Sequence, residues 1–190
     1  EGQELGYQRH RLCFRSAGEN TNERNLISTI LPKRVFCGNS LTLDKDFSGT
    51  AQDMLFICGM LSSYVLDWLL RLKIQRNLNM FLVYQLPMPR LKATDIASRA
   101  VWTRVARLIC TSPEFDDLAK FVGLQGHQDG ATDPTERAQL RAELDGLVAH
   151  LYGLSEEEFT HVLGTFPLVA EPVKVAALNA WRDVKRGLIS

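Results

Sequence analysis

The apolar residues of this chain change their spacing part-way along, and the change predicts two kinds of structure. Arg9 to Arg15 (RHRLCFR) alternates imperfectly, as a strand with arginines at its ends and on one face would. Asn25 to Leu31 (NLISTIL) reads as a buried strand that Pro32 stops. Cys37-Gly38-Asn39-Ser40 then supplies turn chemistry before a short apolar segment, Leu41 to Leu43. Thr50 opens the strongest element: Thr50-x-x-Asp53 has the form of a capping box. Beyond it Met54, Ile57, Leu61, Tyr64, Val65, Trp68, Leu69 and Leu72 recur at steps of three and four, which predicts one helix with a broad buried stripe.

Asn77 to Val83 (NLNMFLV) reads as a further strand. Leu86-Pro87-Met88-Pro89 must be extended, because each proline drives its predecessor out of the helical region. The remainder is helical. Thr94 is placed to cap a helix reaching Cys110, and Ser112-Pro113 begins a short one that Gly123 ends. Asp133-Pro134-x-Glu136 joins a cap, a first-turn proline and an acid ahead of Leu140, Leu144, Leu147, Val148 and Leu151. Ser155-x-x-Glu158 is a second capping box before a helix ending at Gly164, and Glu171-Pro172 begins the last, through Val175, Leu178 and Trp181. Gly123 to Thr132 is the expected flexible loop. The predicted class is α+β: a small N-terminal mixed β/turn region packed on a long helix, followed by a mainly α-helical C-terminal half. The division expected is 1–92, strand-rich with one long helix, and 93–190, helical and packed on the first.

With 190 residues and 45% hydrophobic composition the chain has ample material for a core. No apolar run approaches the roughly 18 residues that span a bilayer; the richest, Met54 to Leu72, is broken by Ser62, Ser63, Asp67 and Arg71. No signal peptide is evident, so a cytoplasmic protein without a membrane partner is expected, and the start at Glu1 points to a piece of something longer or to processing. Cys13, Cys37, Cys58 and Cys110 form no C-x-x-C pair, and His10, His127, His150 and His161 lack ligand spacing. Free, buried thiols are expected, and no metal site.

Net charge is zero, but residues 1–110 carry 15 Lys/Arg against 9 Asp/Glu, while residues 111–190 carry 7 against 13. Such asymmetry points to a basic functional face and an acidic annex that is solvated or meets a partner. Catalytic signatures do not emerge. Gly123-x-x-Gly126 lacks the Lys-Ser/Thr of a phosphate loop, there is no G-x-S-x-G elbow, and Glu156, Glu157 and Glu158 are first-turn acids complementing a helix dipole. Asp116 and Asp117 admit the same account, and His150 reads as a surface or partly packed histidine.

Four stretches taken in order carry a resemblance: Arg11 to Pro32 (RLCFRSAGENTNERNLISTILP), Leu61 to Arg71 (LSSYVLDWLLR), Leu86 to Pro89 (LPMP) and Leu147 to Leu163 (LVAHLYGLSEEEFTHVL). They resemble the C-terminal target-recognition region of large adenine-N6 DNA methylases of restriction–modification and related bacterial phage-defence systems, type IIG enzymes and their helicase-linked relatives among them. The family commonly has Arg-Thr where this chain has Arg24-Asn25, and Asn-Ser where it has Ser62-Ser63. Neither the Asn/Asp-Pro-Pro-Tyr/Phe motif nor the Gly-bearing S-adenosylmethionine motif of those methylases occurs in these 190 residues. The resemblance therefore implies a non-catalytic reader of duplex DNA, with S-adenosylmethionine and base extrusion belonging to a methylase domain of the same parent protein.

Arg and Asn suit such reading, Arg forking onto guanine and Asn pairing with adenine, and both also bind phosphates. The candidate DNA-binding residues are Arg9, Arg11, Arg15, Asn20, Asn22, Arg24, Lys33, Arg34 and Asn39 in the first segment, with Arg71, Lys73, Arg76 and Asn77 beyond the long helix. Arg24 serves equally well as a brace bonding turn carbonyls, and Arg71 and Lys73 as helix C-terminal caps. The competing expectation for the whole chain is a helical scaffold that docks a methylase, helicase or partner subunit without major DNA contact.

Overall fold

A computed structural model describes residues 5–18, 22–44, 47–73 and 77–190. The fold is α+β, with a three-stranded antiparallel sheet at the N-terminal end and helices through the rest of the described chain. Strands β1 (Arg11–Arg15), β2 (Ser28–Leu31) and β3 (Leu41–Leu43) lie in the order β2-β1-β3, with Leu12 opposite Ile30 and Cys13 opposite Leu43. The central β1 is buried from Arg11 to Phe14, which is why its alternation is imperfect: both faces are covered.

The stripe that predicted one helix over Met54 to Leu72 is carried by two, α1 (Ala51–Leu61) and α2 (Tyr64–Arg71), bent by 60° at the Ser62–Ser63 break. Ser63 explains the break. Its hydroxyl donates to the Met60 carbonyl (2.7 Å) and accepts from the Leu66 N–H (3.3 Å), satisfying the end of one helix and the start of the next. The strand expected over Asn77 to Val83 is instead a short helix, α3 (Met80–Val83), because the Asn79 side chain caps it by accepting from the Leu82 N–H at 3.1 Å. Asn77 keeps only an isolated bridge to Ala17. Among the described residues no single helix is long and apolar enough to cross a membrane.

The later helices follow their sequence signals closely. α4 (Ile96–Ile109) starts one residue later than expected, at Asp95 rather than Thr94. After a single 3-10 turn at Pro113–Phe115 comes α5 (Asp116–Phe121), then α6 (Pro134–Leu151), α7 (Glu156–Gly164) and α8 (Glu171–Lys185). Asp133 and Ser155 accept the N3 amides of α6 and α7, as their motifs require. The loop from Gly123 to Thr132, expected to be flexible, is tied at several points. Asp116 Oδ1 accepts from the His127 N–H and ring Nδ1, both at 2.8 Å, and the Ala131 N–H donates to the Arg107 carbonyl at 2.7 Å.

One hydrophobic core runs through both halves, from Leu12, Phe14 and Ile30 of the sheet through Leu55, Leu66 and Val101 to Val148, Phe159 and Trp181. Two helix crossings depend on missing side chains. Gly59 of α1 lets Val101 and Val105 of α4 approach, and a Cβ on Gly146 of α6 would stand 2.6 Å from the Trp181 backbone nitrogen of α8. At that crossing His150 stacks on Trp181 at 4.7 Å and shares a 2.8 Å hydrogen bond with its carbonyl, so it is a packed residue. Cys13, Cys58 and Cys110 are buried and free. Burial pushes the Cys13 thiol to about 11 and those of Cys58 and Cys110 to about 12, which keeps them protonated and unreactive at neutral pH.

Two outcomes are expected from this packing. Gly146→Ala forces a methyl against α8 backbone, and urea unfolding should show a loss of about 1–3 kcal/mol; an unchanged midpoint would exclude so close a crossing. His10 stacks on Phe115 at 5.9 Å, with Nε2 3.4 Å from Asp117 Oδ1 and with Lys33 nearby. Burial first, with Lys33 assisting and Asp117 opposing, lowers its pKa. The folded chain thus takes up this proton less readily than the unfolded one, so the contribution is full above about 6.5 and is lost as pH falls below that value through the lowered folded pKa. The urea midpoint should drop between about pH 7.5 and about pH 5.5, and His10→Phe should flatten the drop; parallel profiles for the two proteins would refute the role.

Candidate functional site

The polar tract ahead of β2 is built as a brace. The Arg24 guanidinium lies over the Tyr64 ring, 3.5 Å from its centroid, donates from Nη2 to Asp145 Oδ2 at 2.8 Å and from Nη1 to the Ser62 carbonyl. Asp145 Oδ1 accepts the Tyr64 N–H at 2.8 Å, so one carboxylate of α6 holds both the tract and the first turn of α2. Tyr64 meets Phe166 edge-on at 4.8 Å, and the Arg71 guanidinium covers the Phe166 ring at 4.3 Å. Arg71 in turn donates to the carbonyls of Asn22 (3.0 Å) and Glu23 (2.8 Å), and its Nε stands 3.4 Å from Asp67. The buried Asp67 accepts the Asn25 N–H at 2.9 Å.

Two arginines, two aromatic rings and two aspartates thus lace residues 22–25 to α2, α6 and the end of α7. Burial pushes both Asp67 and Asp145 above the usual carboxylate range, and the arginine beside each acts against that push. For Arg24 burial is the largest influence and acts downward, but Asp145 and Tyr64 together outweigh it and the guanidinium is held more firmly protonated than an ordinary arginine. The Asn25 side chain is enclosed in the same place, with neither amide atom hydrogen-bonded among the described residues.

Arg24 and Arg71, expected on a DNA-facing surface, therefore brace the fold. Arg11 is also internal: it is buried and donates to the Val35 carbonyl. Lys33 pairs with Asp117 of α5. The exposed candidates fall at two ends of the sheet. Arg9 and Arg34 lie at the start of β1, where the Arg34 N–H donates to the Tyr7 carbonyl and the residue takes φ +62°. Asn39, Lys73 and Asn77 lie at the other end, where Ser16 bonds Ser40 and Leu78 through the backbone. Asn20 and Arg76 are outside the described residues.

What the structure does gather is a cleft of about 620 Å³ between the two halves. Arg15 and residues 22–24 and 26–29 form one wall, Val105, Leu108 and Ile109 of α4 with Arg137, Arg141 and Leu144 of α6 the other, and Cys58, Gly59 and Ser62 the floor. Four arginines line it, Arg15, Arg24, Arg137 and Arg141, against two acids, Glu23 and Asp145. Asp145 is already engaged by Arg24. Arg15 Nη2 lies 3.3 Å from the Arg24 carbonyl, and Arg137 donates to the carbonyls of Leu108 (3.0 Å) and Ala131 (2.7 Å), so both guanidiniums are fixed in direction.

Arg137 and Arg141 belong to the half of the chain that counts as acidic, which hid them from a reading by charge balance. Their four-residue spacing on one helix face was the available signal, since like charges so placed repel. The acids of α6 do not relieve them: Glu136 pairs with Arg107 of α4, and Glu143 with Arg104 at 2.7 Å. Comparison with protein-family models, with curated proteins and with solved structures finds no match for the chain.

The brace makes a graded prediction. Asp145→Ala strands Arg24 and orphans the Tyr64 N–H, and should cost about 3–5 kcal/mol in urea unfolding. Asp145→Asn retains an acceptor for that N–H and should cost roughly half as much. Equal and small losses in the two variants would show that the pair does not hold the halves together.

Proposed function

We propose that this chain is a DNA target-recognition module, holding duplex DNA for a methylase domain that lies outside these 190 residues and supplies the S-adenosylmethionine chemistry. The observation that carries the reading is the cleft, where four arginines from both halves converge against two acids, Glu23 and Asp145, and Asp145 is already paired with Arg24. Phosphate contact by arginine is the main source of affinity for a duplex. The exposed Arg9, Arg34, Lys73 and Asn77 have the chemistry for phosphate contact, and Asn22 and Arg15 at the cleft wall have the chemistry for base edges. Catalysis is assigned to the partner domain and none to this chain.

A scaffold reading rests on a different observation. Phe81 at 71% and Tyr84 at 73% exposure lie three residues apart at α3, and an apolar patch of that kind suits a docking surface. In the proposed arrangement that segment meets the methylase domain while the cleft meets DNA.

Mobility shifts of the chain on a random duplex decide between the readings. With about three to four phosphates neutralised, affinity should fall roughly 40–150-fold between 50 and 200 mM salt. Arg141→Glu should weaken binding and flatten the salt slope by about one phosphate contact or more. Negligible binding at the lower salt concentration would leave the scaffold reading in possession.

A further inference from the structure

Arg141 is the one cleft arginine that the protein leaves unused. Arg24 has Asp145, Arg137 has two carbonyls and Arg15 has the Arg24 carbonyl, whereas Arg141 makes no hydrogen bond or ion pair among the described residues. Partial burial first, then the guanidiniums of Arg137 and Arg24, lower its pKa, so its surroundings disfavour the charge it carries. Arginine nevertheless stays protonated at any physiological pH. A cation held beside two like charges in a concave site, with no ion pair of its own among the described residues, is relieved by an anion.

The rest of the lining narrows the kind of anion. Ile27 is 46% exposed and lines the cleft, with Leu108 and Ile109 of α4 on its other wall. An inorganic ion would leave those side chains facing water. A ligand with a phosphate at one end and a flat, weakly polar body at the other uses both parts. We infer that the cleft binds a nucleotide, its phosphate on Arg141 with Arg137 and Arg15 alongside, and its base against Ile27 and the α4 wall. This deepens the proposed reading of the cleft as the nucleic-acid-facing surface; the nucleotide is either free or one unit of a strand, and the chemistry recognised is the same.

Calorimetric titration of the intact chain with adenosine 5′-monophosphate, with adenosine and with a short duplex tests the inference. Adenosine 5′-monophosphate should bind and adenosine should not. Arg141→Ala should weaken the nucleotide about ten- to hundredfold, Arg141→Lys should retain part of the affinity, and neither variant should lower the melting temperature, because the side chain makes no bond that holds the fold. Nucleotide binding that depends on Arg141 without any duplex binding would uphold the inference and overturn the larger reading. Duplex binding that ignores Arg141, with no response to the mononucleotide, would overturn the inference and move the duplex off the cleft to another face, leaving only DNA recognition itself standing. Adenosine binding as tightly as its phosphate would also overturn it.

Discussion

The contact between Arg24 and Asp145 fixes how the two ends of this chain meet. The residues are far apart in sequence, one in the tract before β2 and the other on α6, and their ion pair closes over the Tyr64 ring at the start of α2. A carboxylate as enclosed as that of Asp145 is tolerable only where its oxygens are matched by donors, and here they receive the Tyr64 N–H and the guanidinium. The break between α1 and α2 belongs to the same constraint. A continuous helix would bond the Tyr64 N–H internally and leave Ser62 no free carbonyl for Arg24. Bend, ring and ion pair require one another.

The charge asymmetry has a corresponding physical meaning. Basic and acidic halves meet at a seam, where Arg24 faces Asp145 and Lys33 faces Asp117. Within the second half, α4 and α6 are pinned by Arg104 to Glu143 and Arg107 to Glu136. These pairs use acids that a simple count treats as a repulsive annex. Their removal from the balance leaves the cleft positive although the net charge of the whole chain is zero. The local field at a site depends on which charges are already matched, and net charge says nothing of that.

This is also where reading the sequence succeeds and fails. Capping chemistry was legible, because Thr50, Asp133 and Ser155 act on amides three residues away. The helix boundary at Gly123 was legible too, because that residue takes a positive φ that few others accept. The double-helix nature of the stretch from Ala51 to Arg71 was not, since apolar spacing survives a 60° bend when both limbs face one core. Nor was the helix at Met80, where a single asparagine side chain outweighs a run of residues suited to a strand. The candidate cations divided along similar lines. For Arg24 and Arg71 the sequence left DNA contact and a bracing or capping role both open, because the partners that fix them, Asp145 and Phe166, lie far along the chain. Arg141 was hidden by the acidic count of its half, although its spacing from Arg137 was legible.

The brace and the cleft share residues, and that sharing gives the site a property neither would have alone. Arg24 lines the cleft while holding Asp145, and Arg15 touches the carbonyl of Arg24 itself. An anion seated on Arg141 lowers the repulsion among three guanidiniums, one of which is the clasp between the halves. Because such a ligand binds only the assembled walls, occupancy favours the closed arrangement over the unfolded chain by mass action. Binding at the cleft and integrity of the fold are in this way a single equilibrium, set by how many positive charges the seam must hold without a counter-ion.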